Sequence, residues 1–224
     1  MNAGGIIFDF NGTLIFDTDA HERSWHKLIP EIRGSGFSEQ EFKDHVHGRT
    51  NREIFSYVLG RPLSEADALP YGERKESLYR EFLVQDPKAC QLIPGAAAFF
   101  ELLKNAGIPI AIATAAPASN IAFYRSRFGL DRWFPTERIV YADGTLPGKP
   151  HPALFLRAVE RLGVPARDVI IFEDSTLGVQ AAQAAGVGRV IGICPDEAAR
   201  DVLERFAVHR TVSDFTGLDL SVFS

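Results

Sequence analysis

Five short β-rich runs, each followed by a helical pattern, constrain this chain more than any other feature. They are GGIIFDF from Gly4, IPIAIAT from Ile108, ERIVYAD from Glu137, DVIIFED from Asp168 and GRVIGIC from Gly188. Runs this uniformly apolar suit strands buried on both faces, and strand alternating with helix reads as a parallel sheet covered on both sides. The segment between the first two runs, Asp17 to Gln91, has a different texture: polar, helical and almost free of strand signals. SEQE at Ser38 to Glu41 is a capping box and SEAD at Ser64 to Asp67 a looser relative of it. The segment therefore reads as a helical insert of about seventy residues, the size of a small subdomain. LIPGAAAFFELLKNAG, from Leu92, returns to the core as an amphipathic helix with Pro94 near its start and Gly107 near its end.

Composition narrows the functional classes. The 224 residues are 46% hydrophobic, enough for a sizeable core. A net charge of -5, without a dense Lys/Arg tract, gives no footprint for a polyanion, so nucleic acid is not expected as a partner. The longest apolar run, around IPIAIATAAPA, is too short to span a bilayer, and MNAGGIIFDF has neither the basic nor the apolar segment of a signal peptide. No membrane association and a cytoplasmic location are the expectations. Cys90 and Cys194 are too few for a disulfide framework and lack zinc spacing, so both are read as reduced and structural.

In an open parallel sheet, ligands bind beyond the carboxyl ends of the strands. Asp9 ends the first run, Thr114 the second, and Glu173 with Asp174 the fourth, while Lys149 sits in the PGKPHP loop. Each has a bland reading. Thr114 would cap a helix, Lys149 would be a solvated loop lysine, and Asp174 or Ser175 would be an N-cap. Taken together at strand ends, three acids, a hydroxyl and an amine facing one crevice point to a site.

These residues resemble the haloacid dehalogenase superfamily, and within it the β-phosphoglucomutase-like phosphatase branch, over nearly the whole chain. DFNGTL resembles the nucleophile motif, AIATAAP the phosphate-binding hydroxyl motif, GKPHPALF the lysine motif and IFEDSTLGVQAAQAAG the acidic magnesium motif. In the insert, HERSW (His21 to Trp25), HGRTN (His47 to Asn51) and ERKESLY (Glu73 to Tyr79) resemble the hinge, cap loop and cap lysine. The resemblance implies a Rossmann-like doubly wound core, 1–15 and 92–224, with a helical cap, 16–91. It implies catalytic roles for Asp9, Asn11, Thr114 and Lys149, and substrate binding by His21, Arg49, Asn51, Lys75 and Ala115. Mg2+ would be held by Asp9, the Asn11 backbone carbonyl and Asp174, with Glu173 in the outer shell. Asp9 would attack phosphorus and carry the phosphoryl group as an aspartyl phosphate. The cap would close about hinges at Phe16 to Thr18 and Gln91 to Pro94.

Asn11 departs from that pattern. Family phosphatases carry a second aspartate there, which protonates the leaving oxygen and then activates water; an amide does neither near neutral pH. A dehalogenase would tolerate Asn11, but Glu173 and Asp174 would be an electrostatically costly metal site in an enzyme that only displaces halide. Phosphonoacetaldehyde hydrolase needs an early cap lysine, which HVHGRTNRE lacks. Three origins stay open: a position substituted to trap a complex, drift into a binder, or a natural enzyme that has moved the proton-transfer task. The surroundings favour the last. Phe16 and Asp17 occupy the usual hinge positions of an acid and a Ser or Thr, and Ala116 and Pro117 stand where relatives are often polar. Asp17 and His21 are the candidates to carry the displaced task, against a bland reading of both as a solvated helix start.

The expectation is a magnesium-dependent phosphohydrolase for a small phosphorylated metabolite, such as a sugar phosphate, acting as a monomer or weak dimer. A β-phosphoglucomutase-type mutase and a catalytically impaired phosphosugar-binding protein are the alternatives.

Overall fold

The computed structural model describes residues 4–46 and 49–223. The chain divides into two compact units, 1–16 with 91–224, and 17–90.

The first unit is built on six parallel strands: β1 (Gly5–Phe8), β2 (Ile110–Thr114), β3 (Ile139–Tyr141), β4 (Val169–Glu173), β5 (Arg189–Ile193) and β6 (Arg210–Val212). Their order is β3-β2-β1-β4-β5-β6, so β1 is central and the winding reverses beside it, as in doubly wound folds. The register sets Ile7 of β1 between Ala111 of β2 and Ile171 of β4, and Phe8 between Ile112 and Phe172. Side chains alternate across a sheet, so these rows face opposite layers. The Ile7 row packs with Leu154, Phe155 and Ala158 of α7 (Ala153–Leu162) and Val179 and Ala182 of α8 (Thr176–Ala184). The Phe8 ring meets Phe99 and Phe100 of α5 (Ala96–Asn105), Phe134, Phe172 and Phe215, with centroids 5.1–6.3 Å apart. Truncating such a ring costs about 3–5 kcal/mol, because the packed neighbours cannot collapse into the gap. Two helices complete the unit, α6 (Ala118–Phe128) and α9 (Glu197–Glu204).

The fold is the α/β parallel sheet expected, with one strand more than the sequence reading found. β6 spans Arg210, Thr211 and Val212 at the sheet edge, with no apolar run to mark it, and only its pairing with β5 defines it.

The second unit holds α1 (Thr18–Arg33), α2 (Glu39–His45), α3 (Asn51–Val58) and α4 (Glu65–Gln85) around Trp25, Leu28, Ile29, Phe42, Ile54, Phe55 and Leu78. Ser38 and Glu41 form the capping box read in the sequence, and Ser64 caps α4. A second box, Thr50 with Glu53, starts α3 and was not read in the sequence. Among the described residues, no helix is long and apolar enough to cross a membrane, and both cysteines are free and buried.

Candidate active site

Asp9 follows β1 and stays beside β4, its amide donating to the Phe172 carbonyl at 3.0 Å. The chain then turns sharply, with the Leu14 amide donating to the Phe10 carbonyl at 2.7 Å. This turn exists because Gly12 takes a left-handed φ of 77°, and because a Cβ there would collide with the Asp174 carboxylate. Thr13, wholly buried, donates its hydroxyl to Asp174 Oδ1 at 3.0 Å. Gly178, in the first turn of α8, clears the space taken by the Glu173 carboxylate. Glu173 Oε2 there accepts from the Ser175 amide at 2.6 Å, while Ser175 caps the helix through the Gly178 amide. The bland reading of Ser175 is thus the right one.

Lys149 reaches back from its loop to donate to Asp9 Oδ1 at 2.7 Å and to Glu173 Oε1. Asp9, Glu173 and Asp174 each present a carboxylate oxygen within 4.8 Å of the others. Asp9 and Glu173 thus share one lysine, with Asp174 beside them. Burial first, then Glu173 against the opposing pull of Lys149, pushes the Asp9 carboxyl up to about 7. Asp174 stands well above the usual carboxylate range, from burial and then from Glu173 and Asp9. Burial works against the Lys149 charge, but the two carboxylates outweigh it and hold its pKa above the ordinary value. A set of hard oxygen donors with excess negative charge fits a divalent cation such as Mg2+, whose charge would favour the ionised acids.

Thr114 ends β2 with 1% exposure, and its hydroxyl accepts from the Ala116 amide at 3.1 Å rather than capping a helix. The same hydroxyl donates to Asn11 Oδ1 at 3.4 Å, and Asn11 Nδ2 donates to the Tyr124 hydroxyl at 2.9 Å. Ala115, beside Thr114, is exposed. The strand ends of this unit therefore gather Asp9, Asn11, Thr114, Lys149, Glu173 and Asp174. Thr13, Gly12, Gly178 and Tyr124 complete the arrangement and were missed in the sequence. For Tyr124 the available signal was the spacing of Ile121, Tyr124 and Phe128 on one helix face.

The expected cap residues lie in the second unit, where most of them form one polar chain. Tyr79 donates its hydroxyl to Asp17 Oδ2 at 2.5 Å, and His21 Nε2 lies 3.3 Å from the same oxygen. His21 Nδ1 is 2.6 Å from Lys75 Nζ, which also donates to Glu76 Oε1 at 3.1 Å, and Asn51 Nδ2 donates to that oxygen at 3.0 Å. With Lys75 charged, Nδ1 accepts and the imidazole proton sits on Nε2, toward Asp17. Asp17 is 1% exposed and its side chain does not cap α1, so it is not a solvated helix start. Lys75 is 3% exposed and burial lowers its pKa, against the opposing pull of Glu76. Arg49 is exposed. His47 and Gly48 of the expected cap loop lie outside the described residues.

Comparison with known proteins places this geometry among relatives. A family model described as haloacid dehalogenase-like hydrolase matches residues 4–186. A phosphorylated carbohydrates phosphatase of Thermotoga maritima is 30% identical over 193 residues, 84% of each chain. A β-phosphoglucomutase of Mycobacterium tuberculosis is 25% identical over 212 residues, 84% of this chain and 79% of that one. The crystal structure of a family IA, variant 3 hydrolase from Entamoeba histolytica superposes with a TM-score of 0.89 at 36% identity, covering 98% of this chain and 96% of that one.

Proposed function

Because the chain belongs to the haloacid dehalogenase-like hydrolases, we propose that it is a magnesium-dependent phosphohydrolase acting on a small phosphorylated metabolite, a sugar phosphate. The observation that carries this reading is the acid set: a buried Asp9 held by Lys149, beside Glu173 and Asp174. Asp9 attacks the ester phosphorus. Its new O–P bond forms as the bond to the substrate's alcohol oxygen breaks, that oxygen taking a proton from water, and water later cleaves the aspartyl phosphate to free Asp9 and inorganic phosphate. Lys149 and Thr114 hold phosphoryl oxygens as charge spreads over them. Mg2+, bound by Asp9, the Asn11 carbonyl and Asp174 with Glu173 behind them, would supply the positive charge that keeps these acids ionised. Choice among esters is assigned to His21, Arg49, Asn51 and Lys75, with Ala115 beside the phosphoryl group. The Thermotoga relative's named activity on phosphorylated carbohydrates supports the substrate class.

The mutase named among the relatives is the weaker reading, since a mutase must move protons in both directions and Asn11 carries none. The test is an unbiased screen of phosphate esters with Mg2+, with Asp9→Asn beside the parent. Turnover in the parent is expected to vanish in Asp9→Asn and in excess chelator. Retained activity in Asp9→Asn would remove the phosphoaspartate mechanism, and full activity in chelator would remove the metal.

A further inference from the structure

We infer that Tyr124 is the positioning residue for the Asn11 amide, and through it for the Thr114 hydroxyl. The inference rests on the phosphohydrolase reading only for its kinetic consequence. Tyr124 lies on α6 and is fully buried. Its ring stacks on Phe10, with centroids 4.2 Å apart and planes 15° from parallel, and leans on Phe128 at 6.1 Å. Packing in the core therefore fixes the ring, and with it the hydroxyl, independently of what stands at position 11.

A buried phenol hydroxyl requires a polar partner, and here it accepts from Asn11 Nδ2 at 2.9 Å. The other end of the amide faces Thr114. Since Thr114 Oγ1 already accepts from the Ala116 amide, its own proton is available to Asn11 Oδ1. The three bonds form a directed chain: Ala116 amide to Thr114, Thr114 to Asn11, Asn11 to Tyr124. A neutral amide satisfies it at both ends. A carboxylate at position 11 could accept from both hydroxyls, but it would add a further negative charge to a site already crowded with Asp9, Glu173 and Asp174. The partner that orients the Asn11 amide therefore lies 113 residues away in the sequence.

The test begins with a measurement that does not depend on activity: hydrogen exchange of the Asn11 side-chain NH2 by NMR, assigned by its loss in Asn11→Ala. Exchange is expected to be slow in the parent and about tenfold faster in Tyr124→Phe, the worth of one hydrogen bond between neutral groups. Fast exchange in the parent alone overturns the inference, whether or not the variant folds. Equal exchange in parent and folded variant does the same. The second measurement is turnover of p-nitrophenyl phosphate with Mg2+. Tyr124→Phe is expected to lower kcat about tenfold with little change in KM, and to have no effect in an Asn11→Ala background, where no amide remains to be positioned. Equal losses in both backgrounds would assign Tyr124 to general packing and overturn its positioning role. Absence of turnover in every variant would sink the phosphohydrolase reading, while the exchange data would still decide the Tyr124 inference.

Discussion

At the residue scale, the proposed nucleophile keeps a lysine partner while position 11, the expected proton carrier, holds an amide. Asp9 is held by Lys149, whereas Asn11 offers an amide tied between Thr114 and Tyr124. Asp17 and His21, the sequence-based candidates for the displaced task, are engaged with Tyr79 and Lys75 in the second unit. The expected outcome is that the first half of the reaction outruns the second. In a rapid-quench experiment with Mg2+, aspartyl phosphate should accumulate in the parent, and Asn11→Asp should clear it roughly a hundredfold faster, the usual worth of a positioned acid or base. Rapid parental turnover that collapses in Asp17→Asn or His21→Asn would instead assign the task to those residues. The polar residues that interrupt apolar runs were legible in the sequence because a buried strand has no other use for them. Thr13 and Tyr124 were not, since each is defined by a partner far along the chain: Asp174 for one and Asn11 for the other.

At the scale of elements, caps and close approaches explain what sequence patterns reveal and what they hide. Strands β1 to β5 were readable because their burial makes them apolar runs, while β6, as short as β3, has Arg210 and Thr211 in place of such a run. The start of α2 was readable as well, and its chemistry predicts a pH response. Glu41 accepts from Arg33 at 3.0 Å, from the Ser38 amide at 2.9 Å and from the Tyr57 hydroxyl at 2.9 Å. These partners, Arg33 first, hold its carboxyl down at about 2 against an ordinary 4.5. A depressed carboxyl stabilises the fold fully above its unfolded value and loses that contribution as pH falls toward the folded one. Acid titration followed by helix circular dichroism should therefore show a loss of cap stability between pH 4.5 and about 2. Glu41→Gln should remove that limb and leave a lower, flatter profile. An unchanged acid limb in the variant would show that Glu41 does not set it.

At the scale of the whole molecule, the sheet concentrates three carboxylates and one amine where its winding reverses, and that imbalance governs how the chain responds to a cation. Buried charges, and like charges buried together, destabilise the fold when nothing offsets them, and the Asp9 and Asp174 carboxyls are raised first by burial and then by their acidic neighbours. A divalent ion that binds only the folded state shifts stability by mass action, about 2.7 kcal/mol at a concentration a hundred times its Kd. For a chain of this size each kcal/mol moves Tm by about 2–4 °C, so saturating Mg2+ should raise Tm by roughly 5–10 °C. Asp174→Asn separates the two effects. Without metal it removes one of the crowded charges while Thr13 keeps a side-chain acceptor, so its Tm should equal or exceed that of the metal-free parent. With Mg2+ it lacks a ligand, so the rise should disappear and the parent should become the more stable of the two. Thermal unfolding of both proteins with and without Mg2+ decides this. A parent indifferent to Mg2+, or an equal rise in Asp174→Asn, would mean that the acid cluster is not the cation site.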